Sequence, residues 1–335
     1  MSTARQDRLQ PVLSPDFACP LTVAAMTLEP EGPSPESPVE ETSQTPTRSA
    51  RLGRGLIRGR LLVCAAALMW STSGFFSKAN VFDAWPAAQR GPLLVFWRAL
   101  FASLVLLPLA RGWRWSPRLV PMVVVFALMN LTFMTAMTRV DATMAIWLQY
   151  TAPMWVFLAG VCWFKEPVQA GDRSMMGFSM LGVGVICYFG LADARPEHIL
   201  MGVASGICFA GVVISLRQLR EFESAFLVAL NHLVTAILYA PYALSQEYWP
   251  AGNQWAYLIG FGMFQIGLPY VIFARGLRTV TGHESSFLTL LEPLLVPVWV
   301  YLAWGDMPTG STLAGGGLIL TGLALRYWPR GVSAS

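Results

Sequence analysis

Past a polar stretch of about fifty residues, the chain settles into long apolar runs separated by short polar or charged turns. Ten such runs can be drawn, at roughly 60–80, 93–110, 119–138, 142–164, 175–192, 199–217, 224–245, 254–275, 283–304 and 311–328. Each is near the ~20 residues that an α-helix needs to cross ~30 Å of hydrocarbon. None shows the strict alternation of a barrel strand, and an unpaired backbone group in lipid costs several kcal/mol, so helices are expected. The first fifty residues differ. They are rich in Pro, Ser, Thr and Glu, as from Pro30 to Pro38, and hold too little apolar surface to offset their ordering entropy, so disorder is expected there. The short run from Leu21 to Leu28 lacks the basic flank and length of a secretory signal and is not read as one.

The runs are duplicated. The stretch from Val140 to Val185 returns, at one offset and without a gap, within Thr279 to Leu325. Pro153 falls on Pro293, Glu166 on Asp306, Gly177 on Gly317 and Gly182 on Gly322. The ordered recurrence of buried proline, acidic turn and two spaced glycines carries more weight than the identities between apolar residues. A repeat of this size sets the architecture. It divides the chain into 58–192 and 193–328, with a cytoplasmic tail expected at 1–57 and a short one at 329–335.

Composition agrees with a membrane protein: 55% of residues are hydrophobic and 13% charged, where a soluble domain carries about a quarter. The basic residues lie between apolar runs rather than in one patch, so no nucleic-acid surface is expected. With the N-terminus inside, the inner loops collect Arg48, Arg51, Arg54, Arg58, Arg60, Arg111, Arg114, Arg118, Lys165, Arg173, Arg217, Arg220, Arg275, Arg278, Arg326 and Arg330, and the outer loops keep Arg90, Arg139 and Arg195. The positive-inside rule then makes both termini cytoplasmic. Five spans per half is an odd number, so the second half is expected to run inverted, as in secondary transporters.

The sequence Leu291-Glu292-Pro293, the turn Trp304-Gly305-Asp306-Met307-Pro308 and the glycines from Gly315 to Gly322 resemble the EamA family of the drug/metabolite transporter superfamily. The first copy answers with Thr151-Ala152-Pro153, Phe164-Lys165-Glu166-Pro167 and Gly177 through Gly184. The resemblance covers about 58 to 328 and departs at Ala152, which stands where the second copy has Glu292. It implies an all-α membrane fold of ten helices in two inverted five-helix repeats. It also implies a carrier of small organic solutes in a bacterial-type inner (plasma) membrane. The expected activity is export of amino-acid-like metabolites by alternating access, with apolar drugs or other solutes as the alternative.

Ionisable residues inside spans are the candidates for function, because a charge near the bilayer centre costs at least ~2.5 kcal/mol on insertion scales. Glu292 is read as a substrate contact or proton-coupling carboxyl, with a purely structural acid as the alternative. Arg98 could hold a substrate carboxylate bidentately, or pair with Glu292. Trp70, Asn130, Tyr150, Gln265 and Tyr270 are the polar and aromatic residues expected around the solute, with Ser71, Ser73, Gln149, Asn231 and His232 beside them. Pro153 and Pro293 are candidate gates, since proline inside a helix removes a hydrogen bond and can kink or break it. Lys78 is expected to snorkel to the interface, and Trp85, Trp113, Trp115 and Trp249 to sit in the interfacial belt. Gly202 and Gly206 fit a close helix crossing within the molecule.

Rival classes find little support. His283-Glu284 begins like a zinc-protease motif, but Phe287 stands where the second histidine belongs. There is no G-x-S-x-G elbow, no G-x-x-x-x-G-K-[ST] loop and no repeated filter sequence. The five cysteines show no metal or disulfide spacing. No enzyme activity, cofactor or metal is therefore expected. The partners expected are a small-molecule substrate and the lipid bilayer, and a homodimer is compatible with the chain but not required.

Overall fold

The computed structural model describes residues 48–328 apart from 169 and 193. The tail expected at 329–335 and most of that expected at 1–57 lie outside the described residues. The chain is helical in every apolar run. In order the helices are α1 (Arg48–Trp70), α2 (Ser73–Ser77), α3 (Ala87–Leu106), α4 (Leu119–Arg139), α5 (Ala142–Gln149), α6 (Ala152–Cys162) and α7 (Ala170–Gly190). The second half supplies α8 (Pro196–Gln218), α9 (Ser224–Ser245), α10 (Gln254–Ile259), α11 (Leu268–Gly276), α12 (Gly282–Leu288), α13 (Leu291–Trp304) and α14 (Gly310–Tyr327). Between α10 and α11 the helix widens into a π-helical segment, Gly260–Gly267. Helix α1 already begins at Arg48, ahead of the tail boundary expected at residue 57.

Eight helical stretches among the described residues are long and apolar enough to cross a membrane: 55–77, 87–109, 119–139, 142–162, 196–218, 224–245, 254–276 and 284–304. The two other expected spans form helices α7 and α14, diluted by glycine, with Asp172 in the first turn of α7 and Arg326 in the last turn of α14. These two pack tightly along each other. The closeness needs bare backbone: a Cβ added to Gly182 would stand 2.4 Å from the Gly315 carbonyl oxygen. Gly177 and Gly317, aligned in the repeat, face open space instead and do not serve the crossing.

The packing pattern survives exchange of the two halves. Helix α4 lies on α8 as α11 lies on α1; α3 lies on the π segment as α9 lies on α4; α5 and α6 lie on α8 as α12 and α13 lie on α1. Three further contacts, α3 with α9, α5 with α13 and α7 with α14, join equivalent spans. Such a pattern is what a two-fold relation between 58–192 and 193–328 produces. The N-caps repeat it as well: Asp141 caps α5 by accepting from Thr143 N, and Thr281, at the same repeat position, caps α12 by accepting from Glu284 N.

Candidate functional site

Three of the crossing helices are interrupted near mid-depth, and the breaks meet. The first lies at Ser71-Thr72 between α1 and α2, the second at Tyr150-Thr151 between α5 and α6, and the third at Thr289-Leu290 between α12 and α13. Pro153 is the second residue of α6 and Pro293 the third of α13. Both therefore sit in the first turn of a restarting helix, where the missing N–H has no intrahelical partner to lose. Of the kinked or broken helices expected at the prolines, the structure shows breaks: the helix stops, and each proline lies in the first turn of the next one.

A break frees backbone groups and points side chains across the bundle. The Tyr150 hydroxyl donates to Glu292 Oε2 at 2.8 Å and lies 3.2 Å from the Thr289 carbonyl oxygen, so the second and third breaks are fastened together. The first is tied in from the other half. Gln265 Nε2 donates to the Trp70 carbonyl at 3.0 Å, and Trp299 Nε1 donates to Ser71 Oγ at 2.8 Å. Gly206 lets α8 approach the second break, since a Cβ there would stand 2.7 Å from the Leu148 carbonyl oxygen. The small-residue spacing at Gly202 and Gly206 thus serves contact within the molecule.

Arg98 is buried on α3 and donates to Asn130 Oδ1. The amide is itself oriented, because Asn130 Nδ2 donates to the Phe126 carbonyl at 3.0 Å. The guanidinium stands 5.0 Å over the Phe261 ring. Arg98 lies within electrostatic reach of Glu292 and Tyr270, yet among the described residues it makes no ion pair with Glu292. Glu292 itself is half-buried. The Trp70 and Tyr270 rings meet edge-on at 5.3 Å, and Tyr270 in turn meets His232 at 6.1 Å. His232 also packs edge-on to Phe126 at 5.0 Å, which links the aromatic wall to the helix bearing Asn130.

The residues singled out from sequence thus form three groups: Arg98 with Asn130, Tyr150 with Glu292, and Trp70 with Gln265 and Tyr270. Sequence reasoning missed Phe261, Thr289 and Trp299. Trp299 was within reach of it, because it lies seven residues after Glu292 and therefore on the same helix face. Phe261 and Thr289 carried no signal, since they contribute through a helix crossing and a helix break.

Polar contacts at the helix ends fall into two sets. At the arginine-rich end, Arg60 pairs with Glu284, Arg118 with Glu221 at 3.5 Å, Arg217 with Glu166 at 3.5 Å and Arg326 with Asp172 at 2.6 Å. All four pairs join 58–192 to 193–328. At the opposite end the ion pairs stay within one half: Arg90 with Asp83 and Arg195 with Glu197. The halves meet there through neutral donors, Gln254 Nε2 to the Val81 carbonyl at 2.6 Å and Trp304 Nε1 to the Phe75 carbonyl at 3.0 Å. Lys78 does not snorkel; its Nζ donates to the Val140 carbonyl at 2.7 Å, beside Asp141. Burial pushes the Asp141 carboxyl up and the Lys78 ammonium down. Trp113, Trp115 and Trp249 are exposed as expected, but Trp85 is buried against Phe82.

Residues 57–188 and 197–328 each match the EamA-like transporter family over a full repeat. The chain belongs to this family. It is an integral membrane transporter, and the two EamA matches meet where the internal duplication divides the sequence. An uncharacterized transporter of Archaeoglobus fulgidus is 26% identical over 58% of this chain and 71% of that protein. The pseudopaline exporter CntI of Pseudomonas aeruginosa is 25% identical over 70% of this chain and 84% of its own. The S-adenosylmethionine/S-adenosylhomocysteine transporter of Chlamydia trachomatis is 24% identical over 77% and 86%. A protein of known crystal structure superposes with a TM-score of 0.56 at 19% identity, over 80% of this chain and 96% of that one, a likeness of fold.

Proposed function

We propose that this EamA transporter exports amino-acid-like metabolites across the plasma membrane by alternating access, holding the solute's ammonium group at Glu292 and its carboxylate at Arg98. One observation carries the reading. Acid and guanidinium share a site, yet a phenol holds one and an amide the other. A structural pair would close on itself, because breaking a buried ion pair costs about 3–5 kcal/mol. Held apart, the two charges match the two ends of a zwitterion, and the planar guanidinium suits a carboxylate. The Trp70 and Tyr270 rings offer a face for an ammonium or an apolar side chain. An apolar cargo would favour neutralising the charges against each other. Relatives named for moving pseudopaline and S-adenosylmethionine agree with an organic metabolite as cargo.

Glu292 is also the proposed proton-coupling group, and the breaks restarted by Pro153 and Pro293 are the proposed moving gates. The exchange-symmetric packing supports two five-helix units, and the odd number of segments in each supports their inversion. Positive-inside topology makes the arginine-rich end cytoplasmic, with both termini there. The four cross-half ion pairs then hold the cytoplasmic end shut, and opening that end requires breaking them.

Reconstituted protein tests this reading by counterflow of labelled L-amino acids. Saturable exchange is expected for the parent and exchange weaker by at least about tenfold for Glu292→Gln and for Arg98→Gln, with both variants eluting as the parent does. Full exchange by both variants would remove the charges from the site.

A further inference from the structure

The site holds more hydrogen-bonding capacity than a zwitterionic head can use. His232 is 1% exposed, and neither ring nitrogen has a partner. Gln265 is 2% exposed; its amide nitrogen is spent on Trp70, and its carbonyl oxygen is bare. His232 packs on Tyr270 and Gln265 is bonded to the backbone of Trp70, the two residues whose rings meet edge-on. A buried polar atom without a partner keeps its full desolvation cost, and lipid offers it no partner. Gln265 also lies in the π-helical segment, an interruption found most often at functional sites.

We infer that His232 and Gln265 form a neutral second subsite that selects amino-acid-like solutes whose side chains carry hydrogen-bond donors. The direction follows from the inventory: an amide oxygen only accepts, and a neutral imidazole offers one acceptor and one donor. The unmet capacity is two acceptors against one donor, so the fitting solute brings N–H or O–H groups. An amide, hydroxyl or heterocyclic N–H on the side chain fits, and an alkyl chain of equal length leaves both acceptors bare. The inference rests on the head-group reading above, because Arg98 and Glu292 fix which end of the solute reaches this subsite.

Competition in the counterflow assay between L-glutamine and L-norleucine tests it, the two side chains differing at their ends by an amide against alkyl carbons. The parent is expected to favour glutamine by about tenfold, the value of one or two neutral hydrogen bonds. His232→Leu and Gln265→Leu are expected to erase that preference, read as the ratio of glutamine to norleucine competition whatever the absolute rate of transport. Should either leucine variant fail to fold, His232→Gln and Gln265→Met serve in its place, and the preference of the parent is a test without any variant. Equal competition by both amino acids would mean that water fills the bare atoms, and would overturn the subsite while leaving the head-group reading intact. Competition by neither overturns both.

Discussion

Removing one partner of the Arg326–Asp172 pair exposes how strongly the arginine-rich end is held. The ions meet at 2.6 Å with side chains only 8% and 4% exposed, and they join α14 to α7 across the two halves. Leaving a buried charge without its counter-ion costs about 3–5 kcal/mol, whereas replacing both ions by neutral groups can be nearly neutral. At about 1.5 °C per kcal/mol for a chain of 335 residues, Asp172→Asn or Arg326→Gln alone should lower the midpoint of thermal unfolding by roughly 4–8 °C. The double variant should recover most of that loss. Melting of the purified protein in one detergent, followed by tryptophan fluorescence, supplies the four corners of the cycle. A double variant that loses the sum of the single losses would refute the pairing, as would single variants that melt with the parent.

Other expectations follow from single contacts. Gly206→Leu should abolish recovery of folded protein, read as loss of the monodisperse peak in gel filtration, because even its Cβ would stand 2.5 Å from Thr151 Oγ1. The carboxyl of Asp141 is raised above its ordinary 3.8 by burial. Its contribution to stability is therefore full below that value and is lost as pH rises through the raised one. Asp141→Asn keeps an N-cap oxygen but cannot titrate, so the parent should gain stability on the variant as pH falls from about 7 to 4, in melts at matched ionic strength. Arg60→Gln and Arg217→Gln break partly exposed pairs, each of which contributes about 0–1 kcal/mol. Their double variant should melt within a few degrees of the parent yet admit a thiol reagent more readily to a cysteine placed at Thr279, beside Gly59 at the same end.

Much of this architecture is legible in the sequence, because a bilayer reduces the problem to runs of about twenty apolar residues and the polar turns between them. The offset that aligns Pro153 with Pro293 also aligns the caps Asp141 and Thr281, so the repeat is written in local chemistry as well as in apolar pattern. Glu292, Arg98 and Asn130 stand out for a thermodynamic reason: polar groups at that depth are expensive and need an explanation. What each one touches is not written in its own neighbourhood. Arg98 finds Asn130 rather than Glu292 because packing of α3 on α4 fixes the reach of the side chain. Lys78 and Trp85 were assigned to the interface from their position at a span end, but a loop carbonyl captures the first and Phe82 covers the second. The prolines mark two of the breaks, but a proline that kinks a continuous helix and one in the first turn of a restarting helix look alike in sequence.

The most direct test of the central claim is competition by head-group analogues in reconstituted vesicles. An L-amino acid should compete with labelled solute, and its N-acetyl derivative and its methyl ester should each compete at least about tenfold less well, because each loses one charge-assisted contact. Glu292→Gln should lose the penalty for acetylation, and Arg98→Gln the penalty for esterification. Equal competition by all three compounds in the parent protein would contradict the assignment of Glu292 and Arg98 to the two ends of a zwitterion.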